Sequence, residues 1–374
     1  RSTLFPYTTL FRSRTGNIVY ADTAGNIGFV NAGVVPVRKS GDGRYPADGA
    51  SGAGDWTGTV PFEGWPQLFN PPAGAIINAN NAVVGADYPY WFGRDQTAGY
   101  RAMRIIERIG ARPKHDIASM ASIQMDIQAA HARDLVPFLL KLQGETEIER
   151  QALALMKAWD FEARHDRPEA LILDWWLLRM NGKLLRSGLD ALAPTSGTLN
   201  AATVVSLLRN PDGFCHEEDA GADCMKAVKS AFRETLDELS RRYGTDVSKW
   251  RWGDEHIAMM ENQVLDQVPG FLALFSEAFP SDGGFYSVNR GGGLGKPEAD
   301  HPLLRKTGAG YRAVYDLEDP SRSRFIIATG QSGHPLSHYY DDQLPLYRAG
   351  KSIRLQKTEE ELKAEASGVL VFKP

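Results

Sequence analysis

The sequence predicts an α+β fold. Three observations carry this reading: a β-rich and loop-rich start over 14–96, an amphipathic helical middle over 97–280, and a return to strand over 281–374. Asn17 to Ala21 and Ile27 to Asn31 are short runs of β-branched and aromatic residues. The turn Asp22-Thr23-Ala24-Gly25-Asn26 separates them, which predicts a hairpin. Ser40 to Asp55 holds five glycines and one proline and predicts a surface loop. From Thr97 the period changes to helical. Met103, Ile106 and Ile109 fall on one face of a helix over Thr97 to Ile109, which Gly110 and Pro113 bring to a stop. Thr146 and Glu149 form a capping box ahead of Ile148, Ala152, Leu155 and Trp159. The clearest amphipathic helix is Met225 to Arg242, with a core stripe of Met225, Val228, Phe232, Leu236 and Leu239. Strand then returns at Phe285 to Val288, Tyr311 to Tyr315 and Phe325 to Ala328.

Composition excludes several function classes. The 374 residues are 43% hydrophobic, enough for a large core, and the net charge of -4 gives no sign of nucleic-acid or polybasic membrane binding. No run of 18 apolar residues occurs, so no membrane span is expected. Neither an HExxH motif nor a Cys/His cluster with zinc spacing is present. Gly291-Gly292-Gly293-Leu294-Gly295-Lys296 fails as a phosphate loop, because the leading glycine is misplaced and Pro297 stands where Ser or Thr is needed. Gly330-Gln331-Ser332-Gly333 has the wrong spacing for a nucleophile elbow. His334 and His338 lie four apart, but Pro335 opposes a helix that would bring them together.

The most informative stretch is Trp56 to Asn81, WTGTVPFEGWPQLFNPPAGAIINANN. It contains a Trp56-x-Gly58 turn, the pair Pro61-Phe62, the turn Asn70-Pro71, Gly74, the apolar Ile76-Ile77, and the pair Asn80-Asn81. In this order the run resembles the penicillin acylase (penicillin amidase) family of N-terminal nucleophile hydrolases. Asn17 to Pro36 upstream and Tyr100-Arg101-Ala102 downstream extend the resemblance. A second signature, Gly330-Gln331-Ser332-Gly333-His334-Pro335-Leu336-Ser337 followed by Tyr340-Asp341-Asp342-Gln343, lies far along the chain in the expected order.

The resemblance implies one α+β body over 14–374: an Ntn-hydrolase αββα sandwich, incomplete in this chain, in which two stacked antiparallel sheets lie between helical layers and a helical excursion is inserted. It implies hydrolysis of linear amides of acylated amines such as penicillins, with N-acyl homoserine lactones as an alternative substrate class. Asn80 matches the side-chain donor of the oxyanion hole. Arg101 matches an arginine that organises the site. The nucleophile of the family is a Ser exposed by self-cleavage, whose own α-amine acts as base near neutral pH. Ser2 and Ser13 do not stand in that context, so the nucleophile is expected to be absent from the chain. The chain is then the C-terminal part of a large subunit, inactive by itself, whose partners are an upstream segment and a small subunit of the same precursor. Arg1 to Ser13, RSTLFPYTTLFRS, has the look of translated adapter DNA or a disordered tail and is left out of the fold.

No catalytic cofactor is implied, but a structural calcium is. Gly43 falls near a carbonyl ligand position, whereas the carboxylate position falls at Tyr90 to Phe92, where no acid stands, with Asp87 and Asp95 on either side. Cys215 and Cys224 bracket a polar loop whose length permits a local disulfide, and two free thiols are the alternative. A disulfide agrees with the periplasmic or secreted location usual for the family. A rival of another class is a non-catalytic binding or scaffold protein built on the helical middle, which would have no use for Asn80 in a β-rich start.

Overall fold

A computed structural model of the chain describes residues 16–93, 96–189, 200–210, 224–262, 264–265, 268, 270–271, 275–292, 300–305, 307–355 and 358–372. The expected tail, Asp95, Cys215 and the glycine-rich run beyond Gly292 lie outside these residues. The chain forms two compact units. The first runs through to Ile106 and takes in Leu317–Pro320; the second holds Glu107–Asp316 and Ser321–Pro374.

In the first unit β1 (Gly16–Ala21) pairs antiparallel with β2 (Ile27–Ala32). The turn between them is built on Asp22, whose Oδ1 accepts the backbone N–H of Ala24 and of Asn26, each at 2.9 Å. The Tyr20 hydroxyl and the Asn26 amide add to this, and together they hold the Asp22 carboxyl down at about 2. On the other side of β2 lies β5 (Gln67–Phe69), completing a three-stranded sheet. The expected loop over 40–55 joins β3 (Pro36–Arg38) to β4 (Trp56–Thr59), a second antiparallel pair with a register shift between Val37 and Arg38.

Helix α1 (Tyr100–Gly110) begins three residues later than the sequence predicts. Its expected apolar face is also corrected. Tyr100 and Ala102 are buried, while Met103 and Ile106 are 57% and 56% exposed. The periodicity is real, but among the described residues nothing covers it.

The second unit is organised around one helix. α5 (Glu169–Leu189) carries the run Leu171-Ile172-Leu173 and then Trp175 to Leu178, all without measurable exposure. α4 (Glu147–Ala158), α6 (Ala201–Arg209) and α7 (Cys224–Tyr243) pack against it, and α3 (Ala132–Leu139) packs on those three helices. α2 (Ile117–Gln124) precedes them, opened by a capping box of Asp116 and Ser119. The Thr146/Glu149 capping box forms as the sequence predicts. In α4 the buried positions are Glu149, Ala152 and Met156, with Trp159 at the C-cap; Ile148 and Leu155 are only half-buried. α7 buries Val228, Phe232, Leu236 and Leu239 as expected, and the Trp176 indole N–H donates to the Val228 carbonyl at 3.2 Å.

Apolar surroundings leave little room for charge, so both acids of α5 are paired, Glu169 with Arg167 at 2.8 Å and Asp174 within the helix bundle. Asp174 is held by His131 Nε2 at 2.8 Å, and the His131 ring packs against Tyr286 at 4.5 Å. The Tyr286 hydroxyl accepts the N–H of Ala201 at 2.7 Å and so fixes the start of α6.

The segment over 97–280 is not wholly helical, because β6 (Ile257–Met260) and β7 (Glu277–Pro280) form an antiparallel pair within it. Phe285 to Val288, expected as a strand, is a turn instead. Ser287 Oγ bonds the N–H and carbonyl of Gly284 and the carbonyl of Asn289, so the hydroxyl serves the local backbone in place of a strand partner. β8 (Tyr311–Val314) and β9 (Arg324–Ile327) are where the sequence places them to within a residue, and β10 (Ile353–Arg354) completes the order β10-β9-β8. α8 (Leu344–Arg348) covers β9 with Leu344 and Tyr347, and α9 (Glu359–Glu365) follows a Thr358/Glu361 capping box.

Cys224, at the start of α7, is disulfide-bonded. With Cys215 as its partner, alkylation of the native protein should label neither cysteine until reductant is added, read by intact mass. His256 offers a pH test. Burial pushes its imidazole from 6.5 down to about 4, even though Nδ1 lies 2.8 Å from the Ser281 carbonyl. Between those values the unfolded chain binds a proton that the folded protein refuses, so stability falls as pH drops through that window, by roughly 3 kcal/mol at full extent. Urea melts from pH 7 to pH 4 should show a shallower loss in His256→Gln than in the parent; identical slopes would remove His256 from the account.

Candidate active site

The Asn80 region is ordered from the backbone upward. Asn80 has φ 62, a left-handed conformation that Asn tolerates better than most residues. Its carbonyl accepts the Thr97 N–H at 3.1 Å and the Thr97 hydroxyl at 3.0 Å. The same hydroxyl lies 3.3 Å from the Ala79 carbonyl. These bonds fix the backbone on which the side chain stands.

Arg101, in the first turn of α1, donates from Nη2 to Asn80 Oδ1 at 2.9 Å. A guanidinium has no acceptor, so the amide must turn its oxygen toward Arg101. Asn80 Nδ2 is thereby left exposed and, among the described residues, without a hydrogen-bond partner. Asn81 differs. Its Oδ1 accepts the Ala79 N–H at 3.0 Å and its Nδ2 donates to the Ala82 carbonyl at 2.9 Å, so both ends of that amide serve the turn.

The structure thus brings together the two residues singled out in the sequence, 21 positions apart. Thr97 escaped the sequence reading, where it marks only the start of a helix. A hydroxyl donating to a carbonyl in the preceding loop leaves no periodic signal.

The surroundings of Gly43 show which charges stand near the expected carbonyl position. The Arg38 guanidinium lies against Gly43, and Asp42 is paired with Arg44 at 2.5 Å. Among the described residues no group of three or more His, Cys, Asp or Glu side chains is placed to hold a metal. No chemistry is assigned to calcium here.

The second signature is a tight turn in the second unit. Ser332 N–H bonds the Tyr339 carbonyl and Gln343 N–H the Thr329 carbonyl, each at 2.9 Å. His334 Nδ1 accepts the Leu336 N–H at 3.2 Å, so the ring serves the turn. Tyr340 ties the turn down, donating to the Phe275 carbonyl at 2.5 Å and accepting from Asn262 Nδ2 at 3.1 Å.

Comparison with known proteins decides the family. The sequence profile described as penicillin amidase matches residues 8–364. This chain belongs to the penicillin amidase family. It is 30% identical over 343 residues to the penicillin acylase 2 proenzyme of Pseudomonas sp. (strain SE83), covering 87% of this chain and 42% of that protein. It is 28% identical to the penicillin G acylase of Escherichia coli, over 95% of this chain and 45% of that one. An acyl-homoserine lactone acylase of Pseudomonas aeruginosa is 24% identical, over 93% and 45%. The chain therefore spans less than half the length of these relatives. A solved structure, the thermostable penicillin G acylase of Alcaligenes faecalis, superposes with a TM-score of 0.66 at 18% identity, covering 97% of this chain and 68% of that one. The α+β fold of this penicillin amidase family member is accordingly that of the Ntn hydrolases.

In this family member the second signature demands glycine at its head, because a Cβ on Gly330 would collide with the Tyr339 carbonyl and the Tyr340 backbone. Gly330→Ala should destabilise the second unit by roughly 1–3 kcal/mol, read as a drop in urea midpoint. An unchanged midpoint would show that the turn gives way without cost.

Proposed function

We propose that this protein contributes to hydrolysis of the linear amide bond of an acylated amine, with Asn80 Nδ2 as a donor to the tetrahedral oxyanion. One observation carries the proposal. Arg101 claims Asn80 Oδ1 at 2.9 Å and leaves Nδ2 pointing outward as a fixed, uncharged donor. Charge developing on a carbonyl oxygen is stabilised most by donors already in place, since nothing then has to reorganise. An isolated asparagine would present oxygen and nitrogen equally. Arg101 removes that choice and so acts as a positioning residue.

The Thr97 hydroxyl beside Asn80 bonds two carbonyls and, among the described residues, no side-chain base hydrogen-bonds it. We therefore assign the nucleophile to an N-terminal Ser supplied from outside this chain, together with the upstream segment and small subunit of a common precursor. Exposed apolar side chains on the first unit support such partners: Trp56, Phe62, Phe69, Met103 and Ile106 are all more than half exposed. The substrate class is drawn from the names of the relatives, which act on penicillins or on acyl-homoserine lactones. Both classes share the acyl amide. Among the described residues no helix is long and apolar enough to cross a membrane. A periplasmic or secreted location is proposed, and the disulfide at Cys224 favours it.

In the complete enzyme Asn80→Ala should lower kcat by about 10²–10³-fold, the loss expected for one oxyanion donor. Asn81→Ala should cost far less, and Arg101→Lys should lower kcat with little change in KM, because it loosens the donor without removing it. Steady-state hydrolysis of an acyl amide after confirmed self-cleavage measures all three. Parent-like turnover by Asn80→Ala would sink the assignment.

A further inference from the structure

A cleft of about 570 Å³ opens in the second unit, and three arginines, Arg305, Arg312 and Arg348, line it. Two of them are deeply buried: Arg305 is 4% exposed and Arg312 9%. Among the described residues neither forms an ion pair with a carboxylate. Arg305 bonds the Ser281 hydroxyl and, at 3.3 Å, the Arg290 carbonyl. Arg312 uses Nη1 on the Met125 sulfur at 2.9 Å and the Tyr347 carbonyl at 3.1 Å, and its guanidinium lies 3.8 Å from the Tyr347 ring centre. Each leaves a buried Nε without a hydrogen bond.

The acid on the cleft wall does not neutralise them. Asp282 Oδ1 is taken by His165, at 2.7 Å from Nδ1 and 2.7 Å from the backbone N–H. A guanidinium cannot shed its charge as a buried lysine can, so two of them side by side in a cleft are costly unless an anion arrives. Burial and the neighbouring Arg312 both push the pKa of Arg305 down, which is the same conflict seen from the proton's side. Gly291 and Gly308 bridge to each other across the Arg305 stem, and a Cβ on either would strike the guanidinium group, so the backbone is shaped around this side chain.

We propose that this cleft binds a small organic carboxylate, its charge received by Arg305 and Arg312 and its apolar body lying against Phe279 and Leu344. The planar forks of arginine suit a carboxylate's two oxygens. Cleft size and the apolar wall suit a small molecule better than a bare ion. Arg348, stacked 4.4 Å over the Phe279 ring at the exposed rim, extends the positive field at the entrance. This proposal stands apart from the amide chemistry assigned to Asn80, which lies in the other unit.

The test is titration of the purified protein with sodium benzoate, against sodium chloride at equal ionic strength, read by calorimetry and by Tm. Saturable binding that chloride does not reproduce is expected. Arg312→Met should weaken it at least tenfold, and Arg312→Lys, which keeps the charge and loses the fork, should also weaken it. Arg348→Met, at an exposed position outside the packed interior, should weaken it about threefold and guards against loss of fold in the buried variants. Inorganic phosphate is the comparison arm and should bind more weakly than benzoate, since it leaves the apolar wall bare. No heat or Tm change beyond that of chloride, equal binding by parent and Arg348→Met together with Arg312→Lys, or tighter binding of phosphate than of benzoate would each overturn the proposal.

Discussion

Burying α5 on every side sets the terms for the second unit. A surface helix needs one apolar stripe, but Leu171 to Leu178 offers large side chains all round, including Trp175 and Trp176, and these are removed from water only if several elements surround them. α4, α6 and α7 do so, with α3 packed on all three. The same enclosure dictates the polar chemistry inside it. Asp174 cannot remain alone in such a place, so it takes His131, which brings in Tyr286 and through it the first turn of α6. One acid in an apolar helix thus aligns two further elements.

Local signals in the sequence were readable where a single side chain does the work. The Asp22 turn, the Thr146/Glu149 capping box and the stripe of α7 all rest on contacts within one element or across one turn. Signals failed where distant contacts decide. Over Glu169–Leu178 α5 has no exposed position, so its pattern is lost among apolar residues. Phe285 to Val288 has strand composition, yet Ser287 satisfies the local backbone and keeps the segment a turn. β6 and β7 are four residues each, too short for alternation to declare itself.

The candidate site was legible in a different manner. Nothing in the period or composition of Asn80 sets it apart from a turn asparagine; the ordered motif around it did so through resemblance to a family. What the motif does not contain is the reason one amide of the pair faces outward. That comes from Arg101 on one side and the closed circuit of Asn81 on the other. Two adjacent residues of identical chemistry are thereby given different tasks by their partners alone.

Asn70, in the Asn-Pro turn of the same motif, is fastened to the hairpin far upstream. Its N–H bonds the Ile27 carbonyl at 2.9 Å, its Oδ1 accepts the Ile27 N–H at 2.9 Å, and its Nδ2 donates to Asn26 Oδ1 at 2.8 Å. Its backbone is left-handed, with φ 44. A turn whose geometry is secured by a segment 43 residues away cannot settle while the chain between them is still open. Closing a loop of that length is an entropic barrier that must be crossed before the bonds that reward it exist. The β1-β2 hairpin closes over a few residues and the Asn70 turn over 43, so the entropic cost of closure is lower for the hairpin than for the segment leading to Asn80.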